Sequence, residues 1–150
     1  MAAACAVLLV GIAGCSITTA TSRADAERDL QRNRQLWAGV GIRDYEFDFR
    51  RICFCVPETT ERVHIVVRND VVTSVVRLRD GQPASTVAGA WPRVNELFDE
   101  IQLRLDQNAA RLDVTYDPSL GYPRTVAADV VETMTDDEYW ITAENLRRLP

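Results

Sequence analysis

Hydrophobic and polar positions change period several times along this chain, and each change marks an element. Ala26, Leu30 and Trp37 give a thin apolar stripe. It is preceded by Ser22, three residues before Asp25, in an N-cap arrangement. A helix is expected from there to Trp37-Ala38, stopped by Gly39 and Gly41. Tyr45, Phe47 and Phe49 then alternate with Glu46, Asp48 and Arg50, the period of a half-buried strand running into Ile52-Cys53-Phe54-Cys55. Arg51 falls on the aromatic face, which predicts a bulge there. After a loop at Pro57 and Glu58 to Glu61, Val63, Ile65 and Val67 form a second strand. Asn69-Asp70 suits a two-residue turn, because both residues tolerate positive φ. Val72, Val76 and Leu78 make the return strand, ending at Asp80-Gly81.

Gln82 to Ala90 is a connection rich in small residues. Pro92 stands at an expected first helical position. Val94, Leu97, Phe98, Ile101 and Leu105 follow at helical spacing, the clearest amphipathic stripe in the chain. Leu112, Val114 and Tyr116 alternate as a strand before the turn-rich Asp117 to Pro123. Thr125 to Val131 and Tyr139 to Ala143 supply two more. The order is α-β-β-β-α-β-β-β. Short links between successive strands imply antiparallel pairing. Two helices cannot cover both faces of six strands around a single core. The expected fold is therefore α+β, a two-layer sandwich with both helices on one face of an antiparallel sheet. The two α-β-β-β halves look like an architectural repeat, although their sequences show too little similarity to establish one.

The first residues follow a different logic. Ala2 to Gly14 is uncharged, apolar and small, about 13 residues and well short of the roughly 20 that span a bilayer. Such a run reads as the hydrophobic region of a signal peptide, although no arginine or lysine precedes it. It closes on Ile12-Ala13-Gly14-Cys15, which resembles the lipobox of bacterial lipoproteins: an aliphatic residue, two small ones, then cysteine. By that resemblance residues 1–14 are removed, Cys15 is lipidated and anchors the chain to the membrane, and residues 15–23 tether a single domain spanning 24–150. Ser16 after the cysteine favours the periplasmic face of the outer membrane in a Gram-negative cell. The resemblance thus implies an exported, envelope-anchored protein.

Composition narrows the chemistry further. The 150 residues carry a formal net charge of -5, against the basic face a nucleic-acid binder needs. All 17 basic residues are arginine, so neither Schiff-base chemistry nor a Walker lysine is available. One histidine, His64, excludes a multi-histidine metal site; it alternates away from Val63 and Ile65, towards solvent. No Gly-x-Ser-x-Gly motif occurs, and no pair of carboxylates stands out for glycosidase chemistry.

With Cys5 in the signal peptide and Cys15 acylated, Cys53 and Cys55 remain as a pair in an oxidising compartment. In a regular strand their Cα atoms would lie roughly 6.5–7 Å apart, so a disulfide needs a kink, which a bulge beside Arg51 would supply. Three readings stay open: a structural disulfide, a strained redox pair, or a soft-metal site requiring a third ligand such as His64. Asp117, Gly121 and Tyr122 mark the other conspicuous segment. Its residues suit a tight connection stapled by tyrosine, and also an interaction loop. A calcium site would require Asp117, Asp129, Asp136, Asp137 and Glu138 to converge, and their spacing is unlike an EF-hand loop.

Several of these segments together resemble the bacterial domain-of-unknown-function 6174 family of predicted lipoproteins. They are the aromatic strand into Cys53-Phe54-Cys55, the Val63 to Val76 hairpin, Val94 to Ile101, Val114-Thr115-Tyr116-Asp117-Pro118 with Gly121-Tyr122-Pro123, and Asp136-Asp137-Glu138. The likeness spans about Trp37 to Ala143; Asn69-Asp70 stands where an Asp-Gly or Asn-Gly turn is expected. It implies export and a compact α+β domain, and no activity, catalytic residue or cofactor. The leading expectation is a non-catalytic binding or scaffold module of the cell envelope, contacting a partner through its exposed sheet face or the loop around Tyr122. The alternative is a thiol redox or soft-metal-handling protein acting through Cys53 and Cys55.

Overall fold

The computed structural model describes residues 22–84, 89–130 and 138–150. The expected Val131 strand end, Asp136 and Asp137, and Cys15 with its leader and most of its tether lie outside these residues. Helix α1 spans Arg23–Val40 and α2 spans Val94–Asp106; strands β1 (Tyr45–Cys53), β2 (Val63–Arg68), β3 (Val71–Arg77), β4 (Arg111–Tyr116), β5 (Pro123–Asp129) and β6 (Tyr139–Arg148) complete the fold. The strands form one sheet ordered β3-β2-β1-β6-β5-β4, antiparallel throughout. Each half of the chain is a three-stranded meander, and β1 against β6 is the seam between them.

Both helices pack on one face. Phe47, Phe49, Ile65, Val126, Ile141 and Ala143 project from the sheet into a core shared with Leu30 of α1 and Val94, Leu97, Phe98 and Ile101 of α2. Trp37 meets Tyr45 edge-on at 5.4 Å, and its indole donates to Asn95 Oδ1 at 3.1 Å, tying the helices together. The Tyr45 hydroxyl accepts the Val94 amide at 3.1 Å, satisfying a donor at the start of α2. Glu96 reaches back to the Arg93 amide at 2.7 Å. That contact sets the start of α2 at Val94, two residues past Pro92, which precedes the helix instead of opening it.

Three further boundaries differ from expectation. Helix α1 runs through Gly39 to Val40, because the residue that turns left-handed is Gly41, at φ 65°. Strand β1 has no bulge at Arg51: its register with β6 is unbroken from Asp48↔Glu144 to Cys53↔Tyr139. Arg51 is tolerated on the helix side because it sits at the rim with its guanidinium 5.6 Å over the Phe49 ring. The irregularity lies opposite Glu46 to Asp48, where Asn145 adopts φ 56° in β6. That bulge lets β6 continue to Arg148, beyond the expected Ala143. The Asn69-Asp70 turn forms as expected, with φ of 50° and 61°.

Candidate functional site

Strand β1 starts beside the N-terminus of α2, where Tyr45 meets Val94, and runs along that helix to the pole where it ends, beside Arg104. There the strand stops at Cys53, the chain bends through Phe54, and Cys53 is bonded to Cys55 with their Cα atoms 5.2 Å apart. The kink the pair requires thus follows the strand instead of interrupting it. Phe54, at the tip of this small ring, is 88% exposed. Ile52 and Trp140 are direct cross-strand partners on the open face of the sheet, and both are about half exposed. Val56 beyond the ring is also exposed.

Two clefts flank the ring. One, of about 410 Å³, lies on the open-face side against Ile52, Phe54, Ala127 and Trp140, with Arg111 and Asp129 at its margin. The other, of about 510 Å³, lies on the helix side between Cys55, Arg51, Arg104 and Tyr139. Arg104 covers the Tyr139 ring at 4.6 Å and bonds Glu100 at 2.6 Å. Burial there pushes the Tyr139 phenol up to about 12. The clefts therefore differ in kind: the first is walled mainly by apolar groups, the second by Arg51 and Arg104 with Glu100 and Glu138 beside an exposed cysteine, and Glu138 borders both.

A separate polar cluster occupies the open face near the sheet's middle. His64 lies 2.8 Å from Asp48 through Nδ1 and 3.4 Å from Glu46 through Nε2. Arg147 bonds Glu46, and Asn145 Nδ2 donates to Asp48 at 2.8 Å. Burial pushes the Asp48 and Glu46 carboxyls up, but these hydrogen bonds and cations outweigh it and hold both below the ordinary carboxylate range. The sequence shows no partner for His64. The antiparallel register supplies two, since His64 stands directly opposite Asp48.

His64 and the cysteines do not come together. His64 is on the open face, whereas Cys53 aligns with Arg51 and Phe49 on the helix side. Among the described residues no group of three His, Cys, Asp or Glu side chains is placed to hold a metal ion. Asp117 and Asp129 lie at opposite ends of the β4–β5 hairpin, roughly 20 Å apart for a six-residue strand, so they cannot share a cation.

The Asp117 to Tyr122 segment closes the far pole. Asp117 Oδ1 accepts the Ser119 and Leu120 amides at 2.9 and 2.8 Å. Gly121, at φ 78°, passes so close to α1 that a Cβ there would meet the Asn33 carbonyl oxygen at 2.6 Å. Tyr122 is buried against Trp37, with ring centroids 6.4 Å apart. The loop staples β4 and β5 to α1 and does not present its tyrosine to a partner.

A six-stranded antiparallel sheet with one helix-covered face, finished at one pole by a Cys-Phe-Cys ring, defines a two-layer α+β domain. Within that class the chain belongs to DUF6174, a family of unknown function whose model matches residues 29–148. No curated protein matches the chain, and no solved structure does.

Proposed function

We propose that this protein is an envelope lipoprotein, lipidated at Cys15, whose domain is a non-catalytic binding module working through the pole that carries Cys53 and Cys55. The carrying observation is Phe54, held 88% exposed on a ring closed by a disulfide. A ring this small limits the freedom an exposed aromatic loses on binding. Of the eight large hydrophobic side chains exposed among the described residues, Ile52, Phe54, Val56 and Trp140 gather at this pole. Ile12-Ala13-Gly14-Cys15 supports the anchor. The test is fractionation and intact mass of the full chain made in a bacterial host. The expected result is a membrane-bound chain starting at Cys15, with acyl mass added and both remaining cysteines resistant to alkylation. Release of the Cys15→Ser variant from the membrane completes it; an unmodified chain would end the reading.

One observation favours a second reading, a thiol-exchange protein. Cys55 is exposed in a cleft with Arg51, which forms no ion pair with any described residue and would stabilise a thiolate, whereas Arg104 there is paired with Glu100. In that reaction a thiolate of a dithiol partner attacks the Cys55 sulfur and Cys53 leaves as thiolate. The partner's second thiol then resolves the mixed disulfide, so the partner is oxidised and the pair reduced. A reduction potential far below that of the glutathione couple would exclude it.

A further inference from the structure

The chain upstream of the domain enters at the same pole as Phe54. Ser22 caps α1 by accepting the Asp25 amide at 3.2 Å, and Arg23 bonds Asn108, immediately past the C-cap of α2. The preceding turn of α2, with Arg104 and Gln107, lines the helix-side cleft against Phe54 and Cys55. Cys15 is seven residues from Ser22, and fully extended chain covers at most about 3.6 Å per residue. A lipid on Cys15 therefore keeps the start of α1 within about 25 Å of the bilayer surface. The exposed apolar groups lie at the end of the domain nearest that surface.

From this juxtaposition we infer that the partner of the Phe54 pole is the lipid surface itself, into which Phe54, Ile52 and Trp140 insert at headgroup depth. The inference rests on lipidation of Cys15. The residue types fit: tryptophan, with an apolar body and one N–H donor, is favoured at the membrane interface, and phenylalanine and isoleucine supply apolar surface that inserts beside it. Arg51 beside the ring and Arg50 beside Ile52 and Trp140 on the open face form no ion pair with any described residue, leaving them for lipid phosphates. The acyl anchor already holds the chain on the membrane. The ring therefore sets orientation: it lays one pole on the bilayer and turns the Asp117 to Tyr122 pole outward.

The experiment uses full-length lipidated protein reconstituted in vesicles of phosphatidylethanolamine and phosphatidylglycerol, with and without bromine on the acyl chains. Of the three tryptophans, Trp37 is buried and Trp140 sits in the patch. Brominated lipid should remove about one third of the emission, the share of one indole in three, if Trp140 reaches the interface. Trp140→Phe should abolish that component, and Phe54→Ser should weaken it while the acyl mass and membrane retention stay unchanged. A lipidated chain whose emission is equal in the two vesicles would overturn the docking and leave the anchor standing. A chain without acyl mass would overturn both. Cross-linked dimers that disappear in Phe54→Ser would assign the patch to a second copy of the chain and overturn the lipid assignment.

Discussion

His64 and Asp48 face each other across β1 and β2, the imidazole Nδ1 2.8 Å from a carboxylate oxygen. An ionised carboxylate can only accept, so Nδ1 carries the hydrogen. Asp48 also accepts from Asn145, the left-handed residue of the β6 bulge, and so joins three strands. Because its folded pKa lies below the unfolded 3.8, its ionisation favours folding above that pH, and the contribution fades as pH falls through the lower folded value. Asp48→Asn should cost about 1–2 kcal/mol at pH 7. Urea unfolding should show wild type and variant converging as pH falls below 3.8 and through the lower folded value, as protonation removes the charge from the native residue.

The tyrosines predict behaviour at the alkaline end. Burial raises the phenols of all four, with Tyr45 and Tyr139 each pushed to about 12. Folded values above the unfolded 10.0 mean a contribution complete below pH 10 and lost as pH rises through the folded values. The Tyr45 and Tyr139 phenolates should form only near pH 12, together with loss of near-ultraviolet circular dichroism, and Tyr116 and Tyr122 should also ionise above their ordinary 10.0. A component at pH 10 that disappears in Tyr45→Phe would show that water reaches the Trp37–Tyr45 contact.

Two glycines should respond in opposite directions. Gly121→Ala places a methyl 2.6 Å from a backbone carbonyl at positive φ, and should destabilise by about 2 kcal/mol or more. Gly39 lies inside α1, and a methyl added there would meet nothing within 4 Å. Gly39→Ala should therefore gain about 0.5–1 kcal/mol. Thermal midpoints of the two variants decide this directly.

The disulfide closes a ring of only three residues, so chain-entropy arguments assign it about 1–2 kcal/mol. Cys53→Ser with Cys55→Ser should lower the unfolding free energy by that amount, read as a lower denaturant midpoint at unchanged slope. In reconstituted lipidated protein the same double variant should weaken lipid quenching of Trp140, since Phe54 is no longer held at the tip. Quenching equal to wild type would show that the ring does not position the aromatic.

The elements whose side chains keep one period were legible from sequence. Val94 to Leu105 needed only its helical stripe, and Tyr45 to Phe49 and Val63 to Val67 needed only alternation. What escaped depended on partners distant in the chain. The second half of β6 breaks alternation at Asn145, and only the bulge against β1 restores it. The His64–Asp48 contact needs the register of two strands. Trp140 alternates away from Tyr139, Ile141 and Ala143, and its exposure follows from standing on the sheet face that neither helix covers. Cys53-Phe54-Cys55 was conspicuous in the sequence, but the apolar company that Phe54 keeps was not.

The seam between β1 and β6 also dictates an order of events. Its pairs run from Tyr45↔Arg148 to Cys53↔Tyr139, separations of most of the domain's length. A chain made or threaded N-terminus first completes the β1-β2-β3 meander while one edge of β1, with its three aromatic residues, still lacks a neighbour. That bare edge is a template for mispairing until residues 139–148 arrive. Closure of this domain is therefore a late step, timed by its last strand.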